Sequence, residues 1–196
     1  MESIDVIVFD LDGTLISEEI PRKLYREAFI RSIERLEIEG FKVPENFKDH
    51  SFQNYQAILK CEDYGLRDAF KSIYPLEYYR VLEKMLNHIE MYEKERAEKI
   101  YCHALKKYNP KKVFIVTANP GAKVIIKIVL PQVEENSVII VDGDRYVEEK
   151  SRVLRELKRL GKVIYIADKE ELDGEVAQNA EVDFINVNSM FEILNT

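Results

Sequence analysis

The sequence predicts an α/β fold: a Rossmann-like parallel sheet in a three-layer α/β/α core, with a helical cap domain inserted after the first strand. Three observations predict it. An apolar run, "IDVIVF", ends abruptly in Asp10, Leu11, Asp12, Gly13 and Thr14. Residues 17–108 then read as helix almost throughout. Beyond Pro110, short β-branched runs alternate with helical patterns, the signature of parallel strands with crossover helices. The implied boundaries are 1–16 and 107–196 for the α/β core and 17–106 for the cap.

The elements follow in order. Ile4, Val6, Ile7, Val8 and Phe9 have almost no polar interruption, as expected of a strand covered on both faces. Pro21 suits a first helical turn. Leu24, Tyr25, Ala28, Phe29, Ile33 and Leu36 follow at helical spacing, and Gly40 supplies a stop. A second helical pattern runs from Pro75 to Tyr92 and continues as a charged helix to Lys106 and Lys107, which favour a C-terminal end. Strands are predicted over 112–117, 137–142, 162–168 and 183–187, with helices over about 121–130, 149–160 and 172–180. "VDGDR", Asp142 to Arg145, is another Asp-x-Asp but reads as a turn.

Composition narrows the function. The chain has 196 residues, 46% of them apolar, and a net charge of −7 with no basic cluster, which argues against nucleic-acid or anionic-membrane binding. No segment approaches a membrane span or a signal peptide, and Cys61 and Cys102 show neither metal spacing nor a disulfide framework, so a cytoplasmic protein is expected. Oligomeric state leaves no mark in the sequence.

In parallel sheets ligands collect at the carboxyl ends of the strands, near the point where strand order reverses. There the sequence sets Asp10 and Asp12, Thr117, Asp168 and, shortly after, Asp173; Lys150 begins the helix that leads into the strand ending at Asp168. Two carboxylates about 4 Å apart repel by ~4 kcal/mol at an effective dielectric of about 20. A phosphate dianion adds more. The set therefore needs positive charge, from Lys150 and from a divalent cation; carboxylate ligands suit Mg²⁺.

These motifs resemble those of the haloacid dehalogenase-like (HAD) hydrolase superfamily. "DLDGTLI" is similar to its first motif, "FIVTAN" to its second, "EEKSRVLREL" to its third and "IADKEELD" to its fourth, in the family's order across nearly the whole core. Ala167 stands where the family usually has glycine, which matters if the backbone there needs positive φ. The resemblance implies a Mg²⁺-dependent phosphatase acting on a small phosphorylated metabolite. Asp10 would be the nucleophile and Asp12 the general acid and base. Asp10, Asp168 and the Asp12 carbonyl would hold the metal, Thr117, Asn119 and Lys150 would bind the phosphate, and Lys150 would offset the charge that builds up in transfer. Asp173 is a supporting acid. Glu18 and Glu19, where the chain leaves the core, are candidates for substrate contact or simple helix-start acids.

Alternatives stand beside this reading. Lys123 in "NPGAK" rivals Lys150, which otherwise reads as a solvated lysine. His50, His88 and His103, like Tyr74, Tyr78, Tyr79, Tyr92 and Tyr101, read as surface or packing residues. A phosphomutase on the same scaffold, or a catalytically silent binding protein, would share these motifs. The helical insertion would act as a lid that selects the substrate.

Overall fold

The β-branched runs resolve into a five-stranded parallel sheet in the computed structural model, which describes residues 4–49 and 51–194. His50 lies outside the described residues. The strands are β1 (Val6–Phe9), β2 (Lys112–Thr117), β3 (Val138–Ile140), β4 (Val163–Ala167) and β5 (Asp183–Asn186), in the order β3-β2-β1-β4-β5. The helices are α1 (Glu19–Ile38), α2 (Phe52–Leu59), α3 (Tyr64–Tyr108), α4 (Ala122–Val129), α5 (Tyr146–Leu157), α6 (Glu170–Ala180) and α7 (Val187–Leu194). Among the described residues no helix is long and apolar enough to cross a membrane.

The sheet is covered on both faces. Val6, Val8 and Tyr165 point to one face, where Val153, Leu154, Val176 and Ala177 of α5 and α6 pack on them. On the other face the Phe9 ring meets Tyr101 of α3, with centroids 5.9 Å apart. Such two-sided burial explains why the first strand has no alternating polar positions. Strand order reverses between β1 and β4: β2 and β3 extend the sheet one way and β4 and β5 the other.

The chain divides into two compact units. One comprises Met1–Glu18 and His88–Thr196, the other Glu19–Asn87. The first boundary lies between Glu18 and Glu19. The second lies inside α3, about twenty residues before the expected 106/107. Its reason is packing: Ala97, Ile100 and Ala104 are fully buried on the C-terminal part of α3, within the sheet-bearing unit. In the helical unit Phe29, Ile33 and Leu36 of α1 form a core with Ile58, Leu66, Phe70 and Ile73, and Tyr55 and Tyr74 pack against it.

Of the element boundaries that differ from expectation, two have a clear physical reason. Pro75 is expected to open a helix, yet α3 passes through it. The carbonyl that Pro75 cannot serve is that of Lys71, an exposed residue, so water can take the bond. Helix α5 begins at Tyr146 and not at Glu149, because a short 3₁₀ turn, Gly143–Arg145, runs straight into it. That turn is the "VDGDR" stretch, with the exposed Asp142 carboxylate accepting from Asp144 N at 2.9 Å.

The amino ends of the strands are laced by Asp5. Its carboxylate accepts from Lys162 N at 3.0 Å and pairs with Lys111 Nζ at 2.7 Å, and its carbonyl accepts from the Lys111 and Lys112 N–H groups. Gly161, at φ 135°, closes against it: a Cβ there would lie 2.3 Å from the Asp5 carboxylate.

Candidate active site

Register brings the expected strand-end residues to one level. Phe9 is opposite Ile115 on β2 and Ile166 on β4. Asp10 is therefore level with Val116 and Ala167, and Thr117 and Asp168 come one residue further out. The Asp10 N–H still belongs to the sheet, donating to Ile166 O at 2.9 Å. Ala167 is fully buried in β4 and is not among the positive-φ residues, so alanine sits there without backbone strain.

After Asp10 the chain folds back on itself. Thr14 N and Ile16 N both donate to Leu11 O, and Gly13 takes φ 82°. Gly13 also lies against Asp168: a Cβ would fall 2.2 Å from Asp168 Oδ2. Only glycine meets both demands. Two side chains of α3 fasten this loop. Arg96 donates to the Gly13 carbonyl at 3.1 Å and to the Thr14 carbonyl at 3.2 Å. Glu93, one turn earlier and buried, accepts from the Ser17 N–H and hydroxyl, each at 2.7 Å. Burial pulls the Arg96 guanidinium below its usual range, while Glu93 and Asp168 act against that.

At the centre stands Lys150, with 0% of its side chain exposed. Its ammonium donates to Asp10 Oδ1 at 2.8 Å, to Tyr165 OH at 2.9 Å and to Tyr146 OH. Both tyrosine hydroxyls donate in turn to Asp173 Oδ1, each at 2.7 Å. Asp173 Oδ2 accepts from Lys169 N at 3.2 Å. Lys123, the rival lysine, is exposed and pairs with Glu135 on the surface.

The acids here carry more negative charge than one lysine can balance. Burial raises the Asp10 pKa, and Asp173 raises it further against the pull of Lys150. Asp168 is also raised, by burial and then by Asp10. Asp12 is pushed up to about 7 by burial and by Asp10, although Asn119 Nδ2 donates to its Oδ1 at 2.8 Å. Asn119 is itself fixed: its Oδ1 accepts from Gly121 N at 2.9 Å, and its backbone N–H donates to Thr117 Oγ1 at 3.2 Å. The Asn119 backbone N–H is thus spent inside the loop.

Carboxylate oxygens of Asp10, Asp168 and Asp173 lie within 4.8 Å of one another. An all-oxygen set with surplus negative charge fits a hard divalent cation such as Mg²⁺. Asp173 has both oxygens engaged by donors, which leaves Asp10 and Asp168 as the better ligands. The Asp12 carboxylate turns to Asn119 and does not join the set.

The predicted residues Asp10, Asp12, Thr117, Asn119, Lys150, Asp168 and Asp173 all belong to the sheet-bearing unit and cluster at its carboxyl rim. Glu19 is exposed in the first turn of α1, in the helical unit. His88 is exposed beside Tyr92. Sequence reasoning missed Tyr146, Tyr165, Glu93 and Arg96. Tyr146 precedes Lys150 by one helical turn and Glu93 shares a helix face with Arg96 at i, i+3, but neither spacing sets these residues apart from ordinary packing or surface positions.

No family model matches the chain, and no curated protein does. Among solved structures, that of YfnB from Bacillus subtilis, assigned as a HAD-hydrolase and bound to magnesium, matches over 100% of both chains at 14% identity, with a TM-score of 0.46.

Proposed function

We propose that this chain is a HAD-like hydrolase: a Mg²⁺-dependent phosphatase that acts on a small phosphorylated metabolite through an aspartyl-phosphate. The observation that carries this reading is the buried contact between Lys150 and Asp10, set among Asp12, Asp168 and Asp173 at the reversal point of the sheet.

In this reading an Asp10 carboxylate oxygen attacks phosphorus. The bond from phosphorus to the ester oxygen breaks, and Asp12 gives its proton to that leaving oxygen. Burial and Asp10 raise its pKa in the metal-free chain to about 7, the direction this step needs. Asp12 then takes a proton from water as the water oxygen attacks phosphorus, releasing phosphate and restoring Asp10. Asn119 aims Asp12. Thr117, whose oxygen accepts from Asn119 N, keeps its own proton to donate to a phosphoryl oxygen. Mg²⁺ held by Asp10, Asp168 and the Asp12 carbonyl would offset the charge of the phosphoryl group.

The test is Asp10→Asn, assayed with p-nitrophenyl phosphate and Mg²⁺ while circular dichroism checks the fold. The variant is expected to release no phosphate, and wild-type protein quenched in acid should carry phosphate on the Asp10 peptide. Retained turnover removes Asp10 from the chemistry. Transfer of the trapped phosphate to a sugar phosphate, with none to water, makes the protein a mutase. An inert wild type makes it a binding protein.

A further inference from the structure

We infer that Tyr146 and Tyr165 are positioning residues: they take two of the three Lys150 N–H groups and so hold the third on Asp10. The argument is a count of protons. An ammonium has three donors, and here they go to Asp10 Oδ1, Tyr146 OH and Tyr165 OH. Each hydroxyl has one proton, and both protons go to Asp173 Oδ1. The two hydroxyls also meet each other, and the pattern that satisfies both the ammonium and the carboxylate is the one in which every bond runs the same way. Lys150 gives to the tyrosines, and the tyrosines give to Asp173.

The alternative arrangement explains what the tyrosines prevent. Asp173 Oδ1 lies 3.7 Å from Lys150 Nζ, beyond hydrogen-bond distance yet close enough to attract it. With the hydroxyls gone, two buried ammonium protons would lack acceptors, and such groups are costly to leave unpaired. The nearest remedy is for Nζ to swing to Asp173 and loosen its hold on Asp10. The tyrosines thus satisfy Asp173 through their own protons and keep it from competing for the lysine. Lys150 accordingly orients one oxygen of the nucleophile, and no N–H of its ammonium is left for the phosphate. Tyr146 is placed for this by the helix, one turn before Lys150, and Tyr165 by β4, with its ring on the face where α5 packs.

The kinetic arm of the test rests on the phosphatase reading; the structural arm does not. Tyr146→Phe, Tyr165→Phe and the double variant keep ring volume. Crystal structures of all three would report the distance from Lys150 Nζ to Asp10 Oδ1. In the double variant Nζ is expected to leave Asp10 and contact Asp173 directly. With p-nitrophenyl phosphate and Mg²⁺, each single variant is expected to lose about tenfold in kcat, equivalent to about 1.4 kcal/mol, with KM unchanged. Should the double variant fail to fold, the single variants decide by the same distance and the same split. Lys150 still seated on Asp10 with kcat unchanged overturns the inference, whatever the melting temperature does. So does a raised KM with unchanged kcat, which would put the tyrosines on the substrate side. A wild type without turnover sinks the phosphatase reading alone, and the crystallographic distance still decides the tyrosines.

Discussion

Lys150→Met tests the charge balance on which the site depends. Lys150 Nζ is 2.8 Å from Asp10 and 3.7 Å from Asp173, with both carboxylates buried. At an effective dielectric of about 20 these separations correspond to attractions of about 6 and about 4.5 kcal/mol. Desolvation of three charges offsets much of that. Removing one partner of a buried pair still costs about 3–5 kcal/mol, because its carboxylate partners stay behind. For a chain of this length that predicts a fall in melting temperature of roughly 6–20 °C. Methionine keeps the volume, so the loss is one of charge. The assay is thermal unfolding followed by circular dichroism in a chelating buffer, then with added Mg²⁺. Adding Asp173→Asn to Lys150→Met should recover part of the loss, and Mg²⁺ should stabilise the single variant more than the wild type. A variant that melts within about 2 °C of wild type in chelator would refute the reasoning, since the acids would then tolerate one another without the lysine.

Three further outcomes are expected. Gly13→Ala should destabilise the protein by about 1–3 kcal/mol, since φ 82° disfavours a side chain and its Cβ would strike Asp168; urea unfolding measures the first effect and Mg²⁺ titration by calorimetry the weakened second. Asp12, pushed up to about 7 from 3.8, holds a proton in the folded chain that the unfolded chain releases, so stability should fall as pH rises from about 4 to 7. That contribution has a ceiling of roughly 4 kcal/mol, and unfolding of metal-free Asp12→Asn at pH 5 and pH 8 should show a shallower slope than wild type; equal slopes would deny the shift. Arg96→Met removes the donors to the Gly13 and Thr14 carbonyls, so amide exchange in residues 13–17 should quicken while the strands stay protected.

How much of this was legible depended on the kind of signal. The strand ends were readable because two-sided burial writes continuous apolar runs, and a polar residue after such a run marks the rim. That logic found Asp10, Thr117 and Asp168 without any knowledge of register. Lys150 was harder: its helix carries Arg152 and Arg155, and nothing in the local pattern says that one cation points inward. The two tyrosines were hidden by their own chemistry, since a Tyr in an apolar strand or at a helix start counts as packing until the hydroxyl's partner is known. Arg96 and Glu93 were lost in a charged helix that reads as a solvated face; only the fold shows that the loop after β1 passes beneath them. The end of the helical unit was illegible because no turn, glycine or proline marks it. The chain changes neighbours in mid-helix without changing conformation.

All five strands point the same way, and this separates the two ends of the sheet by three to six residues of β-structure. At one end the chain keeps unbalanced acids, a left-handed glycine and a crowded lysine. At the other, Asp5, Lys111 and Gly161 close the sheet with ordinary, fully satisfied contacts. Selection for heat tolerance can act on that quiet end, where a better ion pair or a shorter connection adds durability. The carboxyl rim can vary separately, because the two sets of residues share strands and no side-chain partners.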